Sequence, residues 1–255
     1  MMMRIKMIVE YDGTPFKGWQ RQEDGILSVQ GVIEDAIHAF CQQRVTIHAA
    51  GRTDAGVHAV GQVIHADLDL DPKYQDGFFV LKAINAHLRE YPVSILAAEC
   101  VPDDFHARFS AREKEYVYRI VNRSADLALD LHRAWVVHPD IDLDAMRAAS
   151  AHLVGHHDFT SFRDSECQAK SPIKTLDALD VTVNNKGPMG LDICVQARAR
   201  SFLHHQVRNM VGTIVQVGLG RFSPDDIPRM LAARDRSAAG VTAPACGLYL
   251  LCVSY

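Results

Sequence analysis

Ile5-Lys6-Met7-Ile8-Val9-Glu10-Tyr11-Asp12-Gly13 is the stretch that sets the fold class. Ile5, Met7, Val9 and Tyr11 alternate with Lys6, Ile8 and Glu10, the period-2 pattern of a strand with one face in a core, and Asp12-Gly13 is a turn signal. Downstream, Val29, Val32, Ile33, Ala36, Ile37 and Phe40 fall at helical spacing behind Ser28, a residue suited to cap a helix, which predicts a helix over 29–41. A strand over 62–68, a helix near 78–88 and a strand over 93–100 follow. Strands and helices mixed in this way make an α+β domain.

At Val101-Pro102-Asp103-Asp104 the pattern breaks, so the chain is expected to divide into an N-terminal α+β domain, 1–105, and a C-terminal one, 106–255. The second half predicts a strand over 115–122 and a helix over 142–153, with Gly155 placed to end it. Strands over 176–183 and 191–199 flank the turn Asn184-Asn185-Lys186-Gly187-Pro188. A helix over about 205–217 presents Val207, Met210, Val211 and Ile214 on one face. A short helix begins at Ser223-Pro224, with Ser at the cap, Pro in the first position and Asp225 and Asp226 in the first turn. An apolar strand, 247–255, ends the pattern. The expectation is two pseudo-related halves with mostly antiparallel sheets, although no sequence repeat demonstrates the duplication.

With 48% hydrophobic and 23% charged residues and no low-complexity tract, the chain is predicted to be ordered throughout its 255 residues. The apolar run before Glu10 is far too short for a signal-peptide core or a membrane span, which points to the cytoplasm and away from membranes. Cys41, Cys100, Cys167, Cys194, Cys246 and Cys252 form no CxxC pair and read as free thiols.

A net charge of −4 weighs mildly against a nucleic-acid partner, because counterion release needs Lys and Arg on the contact surface. The distribution qualifies that. Residues 1–105 carry 9 Lys and Arg against 15 Asp and Glu, whereas 106–255 carry 18 against 16. Arg108, Arg112, Lys114, Arg119 and Arg123 crowd one segment, and Arg198, Arg200, His204, His205 and Arg208 another that holds no acid. Local basic patches of this kind suit RNA at one face, although solvated surface charge explains them equally well by themselves.

The segment least like scaffold is Gly51-Arg52-Thr53-Asp54-Ala55-Gly56-Val57-His58-Ala59. Two glycines bracket Arg, Thr and Asp, so the backbone can turn tightly while presenting a carboxylate. Arg52 can pair with Asp54, favouring its ionised form, or hold a phosphate. An ionised loop carboxylate can act as nucleophile or general base, but an arbitrary loop Asp is far more often structural. In the strand over 115–122, Tyr116 and Tyr118 share a face, where an aromatic either packs in the core or stacks on an unpaired base. Gln196, Arg198 and Arg200 share the polar face of the strand over 191–199 and, with His204, His205 and Arg208, suit phosphates.

Among thirteen histidines there is no HExxH and no spaced Cys/His set, so no metal is expected; without a GxxxxGK[ST] or GxGxxG run, no nucleotide cofactor is expected either.

Gly51 to Ala59 resembles the active-site motif of the tRNA pseudouridine synthase A family, in which the Asp, here Asp54, is catalytic. Further resemblances run in order along the chain: Tyr11-Asp12-Gly13 with Phe16 and Gly18-Trp19-Gln20; Pro102 to Ala111; Lys114-x-Tyr116-x-Tyr118; His157 to Arg163; Phe202 to Asn209; and Gly247-Leu248-Tyr249-Leu250. The resemblance implies an isomerase that converts uridine to pseudouridine at positions 38 to 40 of the tRNA anticodon arm, without cofactor, acting as a cytoplasmic homodimer. It also implies two halves joined around a central active-site cleft. Tyr116 is singled out as the aromatic next to the target uracil and Arg208 as a site residue near the Asp, with Arg52 as a further substrate-binding group; His58 has no assigned role. Three rivals are an RNA-binding module without catalysis, a hydrolase using Asp103 and Asp104 with Asp54, and a relative that modifies other RNAs.

Overall fold

A computed structural model describes residues 1–23, 25–72 and 76–255. They form two compact units, one of residues 1–112 with 249–255 and one of residues 113–248. The fold is α+β, with mostly antiparallel sheets. Among the described residues, no helix is long and apolar enough to cross a membrane, and all six cysteines are free thiols.

In the first unit, β1 (Met2–Tyr11) lies between β3 (His58–Asp69) and β4 (Val93–Val101), antiparallel to both. The alternation read from the sequence is realised: Met3, Ile5, Met7, Val9 and Tyr11 are buried. The far edge of β3 is shared by the two-residue β2 (His48–Ala49) and by β11 (Leu248–Ser254), which runs parallel to β3 with Tyr249 opposite His58. Helix α1 (Val29–Cys41) starts where the Ser28 side chain accepts the Gly31 N–H and ends at Gln42, whose φ is +60°. Its Ile33 and Ile37 are fully buried, each contributing roughly 1.5–3 kcal/mol of apolar burial. In α2 (Gly77–His87) the Asp76 side chain caps Phe78 N–H. A Cβ on Gly77 would lie 1.8 Å from Ala98 O, so the helix packs on β4 only because that position is glycine.

The expected boundary near 101–105 is displaced. Residues 102–112 stay with the first unit because Arg4 donates to Phe105 O (3.0 Å), His65 Nδ1 accepts from Ala107 N–H (3.2 Å) and Tyr255 donates to Ala107 O (2.8 Å). The expected C-terminal domain also gives up its last strand to the first unit. Sequence periodicity identifies strands but not their partners, so the assignment of β11 was not readable.

His65 has a consequence for stability. It is buried, stacked on His48 (5.0 Å) and edge-on to His106 (4.7 Å). Burial, with His106, His48 and Arg4 nearby, pushes its pKa down to about 4, against a weaker opposing pull from Asp67. Protonation would also destroy the acceptor for Ala107 N–H. In the interval between about 4 and its unfolded value near 6.5, the unfolded chain binds more protons, so stability rises with pH and is lost on acidification. A urea midpoint that falls steadily from pH 6.5 to 4, with a flatter dependence in His65→Asn, is expected; equal slopes in the two proteins would refute the assignment.

In the second unit β5 (Glu113–Asn122) and β9 (Ala178–Asn185) flank β10 (Leu191–Ala199), both antiparallel to it, and β6 (Trp135–Val137) adds parallel to β5. The strand expected over 176–183 is two: Leu176 ends β8 (Ile173–Leu176), which pairs with β7 (Gly155–Asp158), and β9 starts two residues later. Helix α3 (Leu143–Leu153) is capped by Asp142, whose carboxylate accepts the Asp144 and Ala145 N–H groups. It ends before Gly155, which opens β7 instead of capping the helix.

Helix α4 (Gln206–Gly218) is buried all round instead of on one face: every residue except Arg208 is inside. Its polar Asn209 and Thr213 are accommodated by hydrogen bonds, Asn209 to Phe162 O (2.9 Å) and Thr213 Oγ1 to Asn209 O (2.7 Å). Regular α5 (Asp226–Ala233) starts later than expected. Even so, Asp226 reaches back to Ser223 N–H (2.7 Å), the reciprocal half of a capping box.

Candidate active site

In the first unit the loop 51–57 joins β2 to β3 and carries Asp54. Four hydrogen bonds hold it, three on its backbone and one on the Thr53 side chain. Gln62 Nε2 on β3 donates to Gly51 O (2.7 Å). The Trp19 N–H donates to Thr53 O (3.0 Å). The buried Tyr11 hydroxyl meets Thr53 Oγ1 at 2.8 Å. Val57 N–H closes a turn onto Asp54 O (3.1 Å), and Gly56 takes the third position of that turn with φ +78°, the sign a type II turn requires there. Burial pushes the Tyr11 pKa up to about 12, so this hydroxyl keeps its proton at any pH in the working range.

The glycines of the segment after β1 let it press onto the loop. A Cβ on Gly13 would stand 2.1 Å from Val57 O, and one on Gly18, whose φ is +95°, would stand 3.2 Å from Thr53 O. Asp54 is thus a half-buried carboxylate on a turn whose backbone has little room to move. That is the pre-positioning a catalytic group needs.

Arg52 is exposed and forms no ion pair among the described residues, which leaves it able to meet a phosphate. His58, which has no role in the sequence reading, is buried; its ring stacks on Tyr249 of β11 (4.6 Å). Its Nδ1 lies 3.0 Å from the Gly13 N–H and 3.1 Å from Asp12 Oδ1. It ties the segment after β1 to the start of β3, a structural duty. Asp103 and Asp104, the pair of the hydrolase alternative, are exposed on a turn closed by Phe105 N–H to Pro102 O (3.0 Å).

In the second unit, Tyr116 and Tyr118 are both buried on one face of β5, as their spacing predicts. They differ in surroundings. Tyr118 is core: its hydroxyl donates to Pro244 O (2.7 Å), and burial raises its pKa well above the ordinary value. Tyr116 has Phe202 edge-on at 5.2 Å.

On β10, Ile193, Val195, Ala197 and Ala199 are buried and Arg198 is exposed, as is Arg200 beyond the strand, so the expected basic face exists. His204 and His205 share one carboxylate: His205 Nδ1 lies 2.7 Å from Asp164 Oδ2 and His204 Nδ1 3.7 Å from Oδ1. The Glu166 N–H, with help from His205, holds Asp164 below the usual carboxylate range. Arg208, half-buried, donates from Nε to Ala243 O (2.9 Å). Asp164 and Ala243 are contributions no periodicity could reveal, since each lies far from its partner in sequence.

The family model described as tRNA pseudouridine synthase matches residues 7–110 and 149–255. Arg52, Asp54 and Arg208 fall inside those spans, and Tyr116 falls between them. Over 254 residues the chain is 58% identical to the tRNA pseudouridine synthase A of Paramagnetospirillum magneticum, covering 100% of this chain and 96% of that relative. It is 55% identical to the one of Afipia carboxidovorans, with 100% of each covered, and 54% identical to the one of Caulobacter vibrioides, with 100% and 99% covered. The likeness takes in the Asp54 loop and the elements that clamp it, and by it this chain belongs to the tRNA pseudouridine synthase family, isomerases that act on tRNA uridine.

Proposed function

We propose that this isomerase converts uridines 38, 39 and 40 of the tRNA anticodon arm to pseudouridine, with the Asp54 carboxylate as the essential catalytic group. Arg52, Tyr116 and Arg208 bind the substrate. The observation that carries the reading is the Asp54 turn, clamped by Tyr11, Trp19 and Gln62, with an exposed arginine two residues before the carboxylate. The clamp holds the loop that carries this carboxylate in one frame, as a catalytic group requires.

The reaction is balanced without a second substrate. The bond between uracil N1 and ribose C1′ breaks, the base turns, a bond from C5 to C1′ forms, C5 loses its proton and N1 gains one. Asp54 attacks the sugar or removes a ribose proton; both routes need the ionised carboxylate. The target nucleotide leaves its stack to reach the site, and Tyr116 receives the base. Arg52 and Arg208 hold phosphate or orient the carboxylate. The enzyme works in the cytoplasm as a homodimer, which gathers basic patches such as Arg198 and Arg200 into one surface despite the net negative charge.

The test follows tritium release from tRNA carrying 5-tritiated uridine, without added metal or nucleotide, using transcripts in which positions 38, 39 and 40 are replaced singly and together by cytidine. Release that disappears only in the triple replacement supports the assignment. Release that persists in it moves the substrate elsewhere on RNA, binding with no release favours a module without catalysis, and free uracil in the supernatant marks a hydrolase.

A further inference from the structure

Residues 239–244 carry no helical or sheet hydrogen-bond ladder, yet they hold the guanidinium of Arg208. Ala243 exchanges two bonds with that residue: its N–H donates to Arg208 O (3.1 Å) and its carbonyl accepts from Arg208 Nε (2.9 Å). Whatever fixes Ala243 therefore helps to fix the direction of this side chain.

Arg236 does so. Its Nη1 donates to Gly240 O (2.9 Å), and its Nη2 donates to Thr242 Oγ1 (3.0 Å) and to Asn209 Oδ1 (3.1 Å). The Thr242 hydroxyl donates in turn to Asn209 Oδ1 (2.7 Å). Asn209 is fully buried and neighbours Arg208 on α4, so one planar guanidinium bonds the segment at two points and the helix at a third. The segment's backbone can come this close because position 212 is glycine: a Cβ there would lie 1.8 Å from Val241 O. Gly240 N–H adds a bond to Thr213 Oγ1 (3.0 Å).

All three acceptors of Arg236 are neutral oxygens, and among the described residues it forms no ion pair. Burial pushes the pKa of this guanidinium down and the Asp164 carboxylate only partly offsets that, so the group is costly to keep for packing alone. Its fork geometry is what the three-point contact uses, and neither Lys nor Met can reproduce it.

We infer that Arg236 is a positioning residue for the isomerisation, orienting the Arg208 guanidinium through the 240–243 segment. This rests on the assignment of Arg208 to the substrate site. Arg236→Met is expected to lower the single-turnover rate about 10-fold or more while tRNA affinity changes about 3-fold or less, because a misdirected group costs the chemical step more than binding. Thr242→Val, which removes only one member of the network, should give the same kind of loss, smaller, in a protein with unchanged melting.

The decisive comparison is a double-mutant cycle with Arg208→Lys. If Arg236 acts through Arg208, the double variant Arg208→Lys/Arg236→Met is no slower than Arg208→Lys alone. Losses that multiply, or an Arg236→Met enzyme with the parent rate, overturn the inference while leaving the substrate site intact. A parent rate in Arg208→Lys removes the assignment of Arg208 itself, and the inference with it.

Discussion

Asp54→Asn is expected to abolish tritium release from 5-tritiated uridine tRNA, lowering the single-turnover rate by about 10⁴-fold or more, the scale on which removal of a sole nucleophile or base acts. The substitution is isosteric, and the turn that carries the residue is closed by its backbone carbonyl, not its carboxylate. Folding should be preserved, with a change in stability of about 1 kcal/mol or less, as for most substitutions away from core features, and tRNA should still bind. Activity within 100-fold of the parent would show that the carboxylate assists the reaction without being essential, and the proposed chemistry would have to be abandoned.

Gly13→Ala should have the next largest effect. The added carbon would sit 2.1 Å from Val57 O and 2.6 Å from Val57 C. Neither neighbour is a flexible side chain, so the backbone of the loop or of the segment after β1 must move. The shift would strain the hydrogen bond between Gly13 N–H and His58 Nδ1. A loss of about 3 kcal/mol or more in urea unfolding is expected from overpacking of this severity. Because Val57 closes the Asp54 turn, the folded fraction should also turn over about 100-fold more slowly, the cost of misplacing a catalytic group by an ångström or so. A Gly13→Ala protein with parent stability and rate would mean that the loop is far more compliant than its hydrogen bonds indicate.

Much of this was legible in the sequence because local rules were decisive. Ile5, Met7, Val9 and Tyr11 formed the core face of β1, and Ser28 capped α1 where its side chain suited the cap. Asp54 stood out between Gly51 and Gly56. Other features were illegible because they depend on partners distant in sequence. Nothing in the apolar run 247–255 says that Tyr249 pairs with His58. The spacing of Val207, Met210, Val211 and Ile214 suggested one buried face for α4, whereas surrounding elements bury it entirely apart from Arg208. Leu176 and Val181 read as one strand because apolar periodicity carries no mark of the break at Asp177, whose N–H bonds Arg198 O (2.8 Å).

The parallel pairing of β11 with β3 bears on how the enzyme is made. The sheet edge where His58 begins β3, immediately after the Asp54 turn, receives its neighbour only when residues 249–255 arrive. During synthesis, all of residues 113–248 must leave the ribosome before this edge is covered, and contacts so remote in sequence form late. Until then the nascent first unit displays an open strand edge, and the His58 ring that accepts the Gly13 N–H lacks the Tyr249 ring that stacks on it. Ribosome-bound fragments ending before residue 249 would therefore carry this edge uncovered, exposed to pairing with other chains until the last strand closes it.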